Sequence, residues 1–407
     1  MEIWIFNHYA IGPNSGGGTR HYDLSKYLVK KGHKVKIFAS SFDHQTRKEK
    51  HLFNKELYKS EIHDGVEFIW IKTHPYKGND YNRVLNMLSY FKNAKKVSKL
   101  VNGNPDLVIG SLVHPLAAYL GYIVSKKKKS LFYFEERDLW PQSLIDLGKV
   151  TEKNPVIFLL YKLEKYLYKK ADRIIVLFEN AKNYVVSKGI NEEKVLYIPN
   201  GIDMNRLETS NSSLPYELEN YFNENNGNNI IVYTGTHGLA NNLDVVLDAA
   251  KEIKTNTQFL FIGDGPNKEK LIQRKLNEKI ENVYFADPVN KDLIPTILQK
   301  SSVGLLPLKH SPVFKWGISP NKLFDYMSNK LPVILLCDIE DSPLQQADGG
   351  FVFKKDFKNE LVDLLNNINK YDLESLGDNG YNFVKENHNW EKNSQIIINS
   401  AIQDKKK

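Results

Sequence analysis

Residues 311–336 read SPVFKWGISPNKLFDYMSNKLPVILL. Ser319 is placed to cap a helix, Pro320 suits its first position, and Asn321 to Ser328 carries helical spacing. The helix then stops, and LPVILL reads as a buried parallel strand. A loop opening onto a helix N-terminus presents free backbone N–H groups and the positive end of the helix dipole, a combination suited to an anion. Lys322 adds a full charge at that point, and Asp325, about one turn further in, is suited to accept the vicinal hydroxyls of a ribose. An ordinary capped helix with a surface lysine and aspartate has the same spacing, so the stretch speaks for an α/β fold before it speaks for chemistry.

The rest of the chain repeats the pattern. EIWIFNH is a buried strand, followed by the loop GPNSGGGTRH, a helix from about Tyr22 to Lys31, and the strand KVKIFAS. Strand, glycine-rich loop, helix, strand is a crossover unit of a parallel sheet. Gly16, Gly17 and Gly18 let a backbone approach a ligand closely, and Arg20, following Thr19, points to phosphate or sugar contact; a flexible loop is the alternative. The glycine spacing is not the dinucleotide fingerprint, and no acid ends the second strand, so a nicotinamide or flavin site is not expected. SLFYFEERDLWP is a strand ending in Glu135, Glu136, Arg137 and Asp138, at the strand end where α/β sheets place ligands; a plain ion-pair cluster is the alternative. From Ser210 to Asn229 the chain turns polar, a domain boundary, after which alternation restarts with IIVYTGT and TQFLFIGDGPNKEKLIQRKL.

The 407 residues suffice for two domains with real cores, and 41% apolar with 12% aromatic content is that of a globular protein. A single cysteine, Cys337, excludes an intramolecular disulfide and leads us to expect a reducing compartment. No signal-peptide pattern opens the chain, and the apolar run at 107–124 is broken by Gly110, His114 and Pro115 into strand, loop and helix. Up to Asn200 there are 33 Lys and Arg against 20 Asp and Glu, a net of +13; beyond it 23 against 28 give −5. The basic half suggests an acidic partner, nucleic acid, anionic lipid or a phosphorylated substrate; a merely solvated lysine face is the alternative. No recognised nucleic-acid motif accompanies the charge. A helix beginning near Val84 carries Val84, Leu85, Leu88 and Phe91 beside Lys92, Lys95, Lys96 and Lys99. Burial of the apolar stripe on the sheet is expected there, contact with a membrane surface being the alternative.

The loop GGGTRHYDLSKYLVKKGHKVKIFAS, the strand end RDLWPQS, the turn IPNGID, FIGDGPNKEKL and SPNKLFDYMSNKLPVI occur in the order found in another group of proteins. In this the chain resembles the retaining glycosyltransferases of the GT-B fold, glycosyltransferase family 4, and most of all the branch that builds bacterial O-antigen and capsule repeat units, including N-acetylfucosamine transferases. The resemblance covers nearly the whole chain. It implies an α/β GT-B architecture, two Rossmann-like parallel-sheet domains facing across a cleft. Residues 1–205 would bind acceptor and 206–385 the nucleotide-sugar donor, with 386–407 a helix crossing back.

By the same resemblance Asp325 matches the glutamate that binds the donor ribose, and Ser319, Pro320, Asn321 and Lys322 match the loop and helix start facing the diphosphate. Thr234, Gly235, Thr236, Gly263 and Gly265 match donor-side loops, and Val289 lies where backbone groups meet the base. Gly16 to Gly18 would meet the diphosphate or the acceptor, together with Thr19, Arg20 and Arg137, and Asp138, Glu136 and Lys322 are the catalytic candidates. The chain departs from the pattern in two places. The motif's first glutamate is Gly317, and the first donor-domain loop, GTHGLANNLD, lacks the usual arginine and lysine, whose charge Lys322 would supply, joined by Arg20 or Lys270.

The implied reaction needs a stabilised leaving diphosphate and no metal cofactor. The expected donor is a UDP-sugar, the acceptor a polyprenyl-diphosphate-linked saccharide, and the location cytoplasmic, peripheral on the inner face of the membrane. The basic half fits an anionic membrane surface. A nucleotide-sugar epimerase of the same fold and a non-catalytic sugar-nucleotide-binding partner are the competing readings.

Overall fold

The computed structural model describes residues 1–13, 18–51, 55–78, 80–146, 148, 150–178, 180–204 and 213–406. It divides into two compact units: Met1–Pro199 with Trp390–Lys407, and Asn200–Asn389.

The first unit is built on β1 (Glu2–Phe6), β2 (Lys34–Ser40), β5 (Tyr58–His63), β6 (Val66–Ile71), β7 (Leu107–Leu112), β8 (Leu131–Glu136), β9 (Arg173–Val176) and β10 (Val195–Tyr197), with a small hairpin of β3 (Phe42–Asp43) and β4 (Lys48–Glu49) beside them. The sheet order is β10-β9-β8-β7-β1-β2-β6-β5. Every pairing in it is parallel except that of β5 with β6. Its helices are α1 (Arg20–Lys30), α2 (Tyr81–Leu100), α3 (Pro115–Lys128), α4 (Gln142–Asp146), α5 (Pro155–Lys170) and α6 (Ala181–Ser187). Strands buried on both faces need cover on both. On one face Tyr22, Leu24 and Leu28 of α1 join Trp390, Ile397, Ile398 and Ala401 of the C-terminal helix. On the other, Tyr90, Ala94 and Val97 of α2 join Ala117, Leu120 and Val124 of α3. Connections leave β1 and β7 in opposite directions along the sheet, so the switch point of this unit lies between those two strands, and the crevice at their C-terminal ends is the default ligand position.

The helix predicted from Val84 forms, but its apolar stripe does not turn inward. α2 buries Asn86, Tyr90, Ala94, Val97 and Ser98, whereas Val84, Leu85 and Leu88 are 55%, 40% and 47% exposed. Asn86 is drawn in by hydrogen bonds to Thr73 Oγ1 (3.0 Å) and the His74 carbonyl (2.6 Å), which sets the rotation of the helix.

The second unit repeats the architecture with β11 (Asn229–Thr234), β12 (Thr257–Ile262), β13 (Val283–Ala286), β14 (Val303–Pro307), β15 (Val333–Leu336) and β16 (Gly350–Phe353), all parallel, in the order β13-β12-β11-β14-β15-β16. Its helices are α7 (Tyr216–Glu224), α8 (Leu243–Ala250), α9 (Lys268–Asn277), α10 (Ile294–Gln299), α11 (Asn321–Ser328), α12 (Pro343–Ala347), α13 (Phe357–Asn366) and α14 (Leu373–Asn387). The switch point lies between β11 and β14. The C-terminal helix, α15 (Trp390–Asp404), packs on α1 within the first unit.

The chain leaves the first unit at Pro199 and returns at Trp390, not at the expected 205/206 and 385/386. Hydrogen bonds place these segments. Ile202 N–H donates to the His388 carbonyl (2.8 Å), and Asn200 donates to Ser319 Oγ from its backbone N–H (3.1 Å) and to the Ser319 carbonyl from its side chain (2.7 Å). The change in composition near Ser210 that marked the boundary falls among residues 205–212, outside the described residues.

Candidate functional site

In the second unit the predicted donor loops converge on the switch point. β11 ends at Thr234, whose N–H donates to the Tyr326 hydroxyl at 2.9 Å, tying α11 to the strand end. The Tyr326 ring lies over Gly304 of β14, where a Cβ would come within 2.5 Å of its Cδ2, so this close helix–strand approach needs a glycine. The loop after β11 is held from behind: Thr236 O accepts from Tyr233 OH (2.7 Å) and Asn241 Nδ2 (2.8 Å), and His237 O from the Asn267 N–H (3.0 Å). The loop after β12 runs directly against it. Gly263, at φ 143°, has room for no side chain, since a Cβ there would sit 2.0 Å from the Gly235 carbonyl oxygen. Thr234, Gly235, Thr236, Gly263 and Gly265 thus form one layered backbone wall at the strand ends.

Lys322 faces this wall. Its Nζ lies 4.0 Å from the centroid of the Tyr233 ring, and a Cβ on Gly235 would approach it to 3.1 Å. Burial pushes its amine down to about 7, with the Asp325 carboxylate pulling the other way. His237, fully buried among Tyr233, Phe261 and Phe285, is pushed down to about 4 by burial, with Lys268 and Lys322 adding, and stays neutral.

Other predicted positions differ in detail. Ser319 does not cap α11; its hydroxyl accepts from Asn200, and Pro320 takes the capping position ahead of Asn321. Asp325 is half-buried on α11, and Val289 is half-buried after β13, packed on the core. Lys270 lies on the exposed side of α9, whereas Lys268, two residues earlier, is the buried lysine of that helix; it donates to the Ala286 carbonyl (3.1 Å) and Asp287 (2.8 Å). Gly317 sits at φ 104°, a conformation in which a glutamate would be strained, so the missing first acid of the motif goes with the backbone of this loop.

In the first unit the four charged residues at the end of β8 do not form one cluster. Glu135 and Glu136 are consecutive in a strand and point to opposite faces. Glu135 faces α1, accepting from Arg20 Nε at 2.9 Å and His21 Nε2 at 2.7 Å, while Arg20 also donates to the Pro199 and Ile198 carbonyls, each at 2.8 Å. The Asn7 amide donates to His21 Nδ1 (2.8 Å), which leaves His21 neutral with its proton on Nε2. Burial alone would raise the Glu135 carboxyl, but His21, then the cation at Arg20, outweigh it and hold it well below the ordinary range. Arg20 is 2% exposed and engaged on every side, so the structure gives it the work of a clamp rather than of a ligand contact. Thr19 bonds to Asp23, Gly18 and Asp138 are exposed, Arg137 is half-buried, and Gly16 and Gly17 lie outside the described residues.

Glu136 faces the other way, fully buried. It accepts from the Trp140 N–H (3.0 Å) and from Tyr168 OH (2.9 Å), close to Glu164, which accepts from Tyr184 OH (2.8 Å). Burial, then the neighbouring Glu164, raises Glu136 well above the carboxylate range, and burial pushes Glu164 up to about 7. The catalytic expectation for Glu136 does not match a carboxyl sealed beneath α5.

Sequence reasoning passed over the crevice itself. Asn7 and His8 follow β1, and His114 follows β7, so the pair straddles the switch point. His8 Nδ1 and His114 Nε2 are 2.6 Å apart, and both rings are 1% exposed. Burial pushes His114 down to about 3 and His8 well below its ordinary value, so both are neutral. One donates to the other. Their outer nitrogens, His8 Nε2 and His114 Nδ1, have no partner among the described residues, and whichever tautomer holds, one is an N–H and the other a lone pair. A hydroxyl, which donates and accepts, complements such a pair. Tyr9 stacks on both His8 and His44, and Arg83 from α2 adds positive charge nearby. The signal was present as histidines directly after two parallel strands.

Residues 14–206 match the family described as Glycosyltransferase Family 4, and residues 228–368 match Glycosyl transferases group 1. An uncharacterized glycosyltransferase of Methanocaldococcus jannaschii is 23% identical over 407 residues, covering 96% of both chains. The putative colanic acid biosynthesis glycosyl transferase WcaI of Escherichia coli is 19% identical over 81% of each. Among solved structures, sucrose-phosphate synthase of Thermosynechococcus elongatus aligns with a TM-score of 0.74 at 16% identity over 99% of this chain and 98% of that one. Anabaena HepE in complex with UDP-glucose gives 0.67 at 12% identity over 99% and 100%. With two Rossmann-like units, a glycine-walled switch point facing Lys322, and both halves matching glycosyltransferase families, the chain is a glycosyltransferase of the GT-B fold.

Proposed function

We propose that the chain is a retaining transferase that moves a sugar, N-acetylated or deoxy, from a UDP-sugar to a polyprenyl-diphosphate-linked saccharide during surface polysaccharide (O-antigen or capsule) synthesis. It does so at the inner face of the cell membrane and without a metal. The observation that carries the donor half is Lys322 at the start of α11, set against the Gly235–Gly263 wall. A diphosphate there meets backbone N–H groups, the positive end of the helix and one ammonium, a preorganised site for the charge of a leaving group. Asp325, one turn on, accepts the ribose hydroxyls. UDP-glucose in HepE supports a uridine donor, and the colanic acid relative supports polysaccharide synthesis. In the first unit, the orphan nitrogens of His8 and His114 suit a sugar hydroxyl.

A thermal-shift panel of uridine-, guanosine- and thymidine-diphosphate sugars, with and without Asp325→Ala, tests the reading, because a ligand of the folded state raises the melting temperature by mass action. A shift with uridine compounds alone, lost in the variant, is expected; no shift with any of them defeats the donor assignment. Turnover of donor without acceptor would turn the reading to an epimerase.

A further inference from the structure

α2, α3 and α5 each end where a parallel strand of the first sheet begins, so all three run antiparallel to the strands, with their N-terminal halves at the C-terminal edge of the sheet. α3 packs between α2 and α5. An aromatic row links their outer surfaces: Phe91 of α2 stacks on Tyr119 of α3, Tyr119 on Tyr122, and Tyr122 meets Tyr166 of α5 edge-on at 5.6 Å. To the N-terminal side of that row lie exposed apolar side chains: Val84, Leu85 and Leu88 on α2, and Val156, Phe158 and Leu159 on α5, the last three 58%, 58% and 62% exposed. To the C-terminal side lie most of the lysines. The three helices together hold eleven lysines and one acid, Glu164, and that acid is buried. Lys95, Lys162 and Lys170 lie over the rings of Phe91, Phe158 and Tyr166.

We infer that this face docks on an anionic phospholipid bilayer. The apolar band enters the interface, the tyrosines lie at headgroup level and the lysines meet lipid phosphates, as amphipathic helices and aromatic–basic belts do at membrane surfaces. Charge decides for lipid over another apolar surface: a lysine row with no exposed acid on its own helices complements a sheet of negative headgroups and repels a second copy of itself. The orientation brings the bilayer to the sheet edge where His8 and His114 lie, and Arg83, on the inner side of α2, reaches the same histidines. The inference rests on the lipid-linked acceptor proposed above.

Sedimentation with vesicles of phosphatidylcholine, alone or mixed with phosphatidylglycerol, tests it. The intact chain is expected to pellet with the anionic vesicles only, and less at high salt. Leu85→Ser with Leu88→Ser, Phe158→Ser with Leu159→Ser, and Lys96→Glu with Lys99→Glu should each weaken partitioning about tenfold or more with the melting temperature unchanged. Ile62→Ser, more exposed still but on the edge strand β5, should not. Variants that pellet like the wild type would overturn the inference. So would a wild type that ignores vesicles but self-associates until the same residues are changed. The UDP-sugar thermal shift on the same samples separates the two claims. Donor binding without vesicle binding defeats the docking face alone, and vesicle binding without donor binding defeats the transferase reading alone.

Discussion

Lys322 Nζ lies 4.0 Å from the centroid of the Tyr233 ring, with Asp325 as the charge that favours its protonated form. An amine held near 7 is poised for an anion to recharge it. Donor binding at about pH 8 should therefore take up close to one proton. Titration calorimetry in two buffers of different ionisation enthalpy will show it, and Lys322→Met should abolish the uptake and weaken binding. The stability sign follows from the same shift. Between about 7 and the ordinary lysine range the unfolded chain carries a proton that the folded chain lacks, so this residue makes stability rise with pH there.

The Arg20–Glu135 pair joins α1, β8 and the segment at Pro199. Removing one partner leaves the other charged and buried. Arg20→Ala should cost about 3–5 kcal/mol in urea unfolding. Arg20→Met with Glu135→Gln should cost less than the two single changes added together. A single-variant loss below about 1 kcal/mol would show that the site is wetter than its burial implies.

Glu136 and Glu164 bind protons more tightly folded than unfolded, Glu136 well above its ordinary value and Glu164 at about 7. The folded state thus holds more protons from the ordinary glutamate range up to about 7 and beyond, and stability must fall as pH rises through that window. Glu164→Gln should flatten the decline in melting temperature between about pH 5 and 8. An unchanged slope would place the titration elsewhere.

His114→Ala deletes one half of the hydroxyl-matched pair and leaves His8 unpartnered. Turnover should fall about tenfold or more, since a site built around a hydroxyl is sensitive to losing its partner, while the uridine-sugar thermal shift stays as in the wild type. A lost donor shift would mean that the change reaches beyond this unit.

Parallel strands, glycine loops and α11 were legible because they rest on local spacing. The boundary was legible only roughly, since polarity marks the loop while hydrogen bonds from Asn200 and Ile202 mark the crossing. Glu135 and Glu136 misled because charge in a sequence window says nothing of facing, which strand alternation decides. The His8–His114 contact joins residues 106 apart in sequence, and only the neighbouring of β1 and β7 creates it. Amphipathic helices as a rule turn their apolar stripe inward, and in α2 the buried hydrogen bonds of Asn86 reverse that rule.

Trp390, Ile397, Ile398 and Ala401 of α15 fill the same core as Leu24 and Leu28 of α1. During synthesis this core stays open until α15 has left the ribosome, whereas Asn200–Asn389 is contiguous and complete before then. The C-terminal unit is therefore the one able to finish folding first, and a ribosome stalled before Trp390 leaves an N-terminal unit with apolar surface uncovered, a substrate for chaperones.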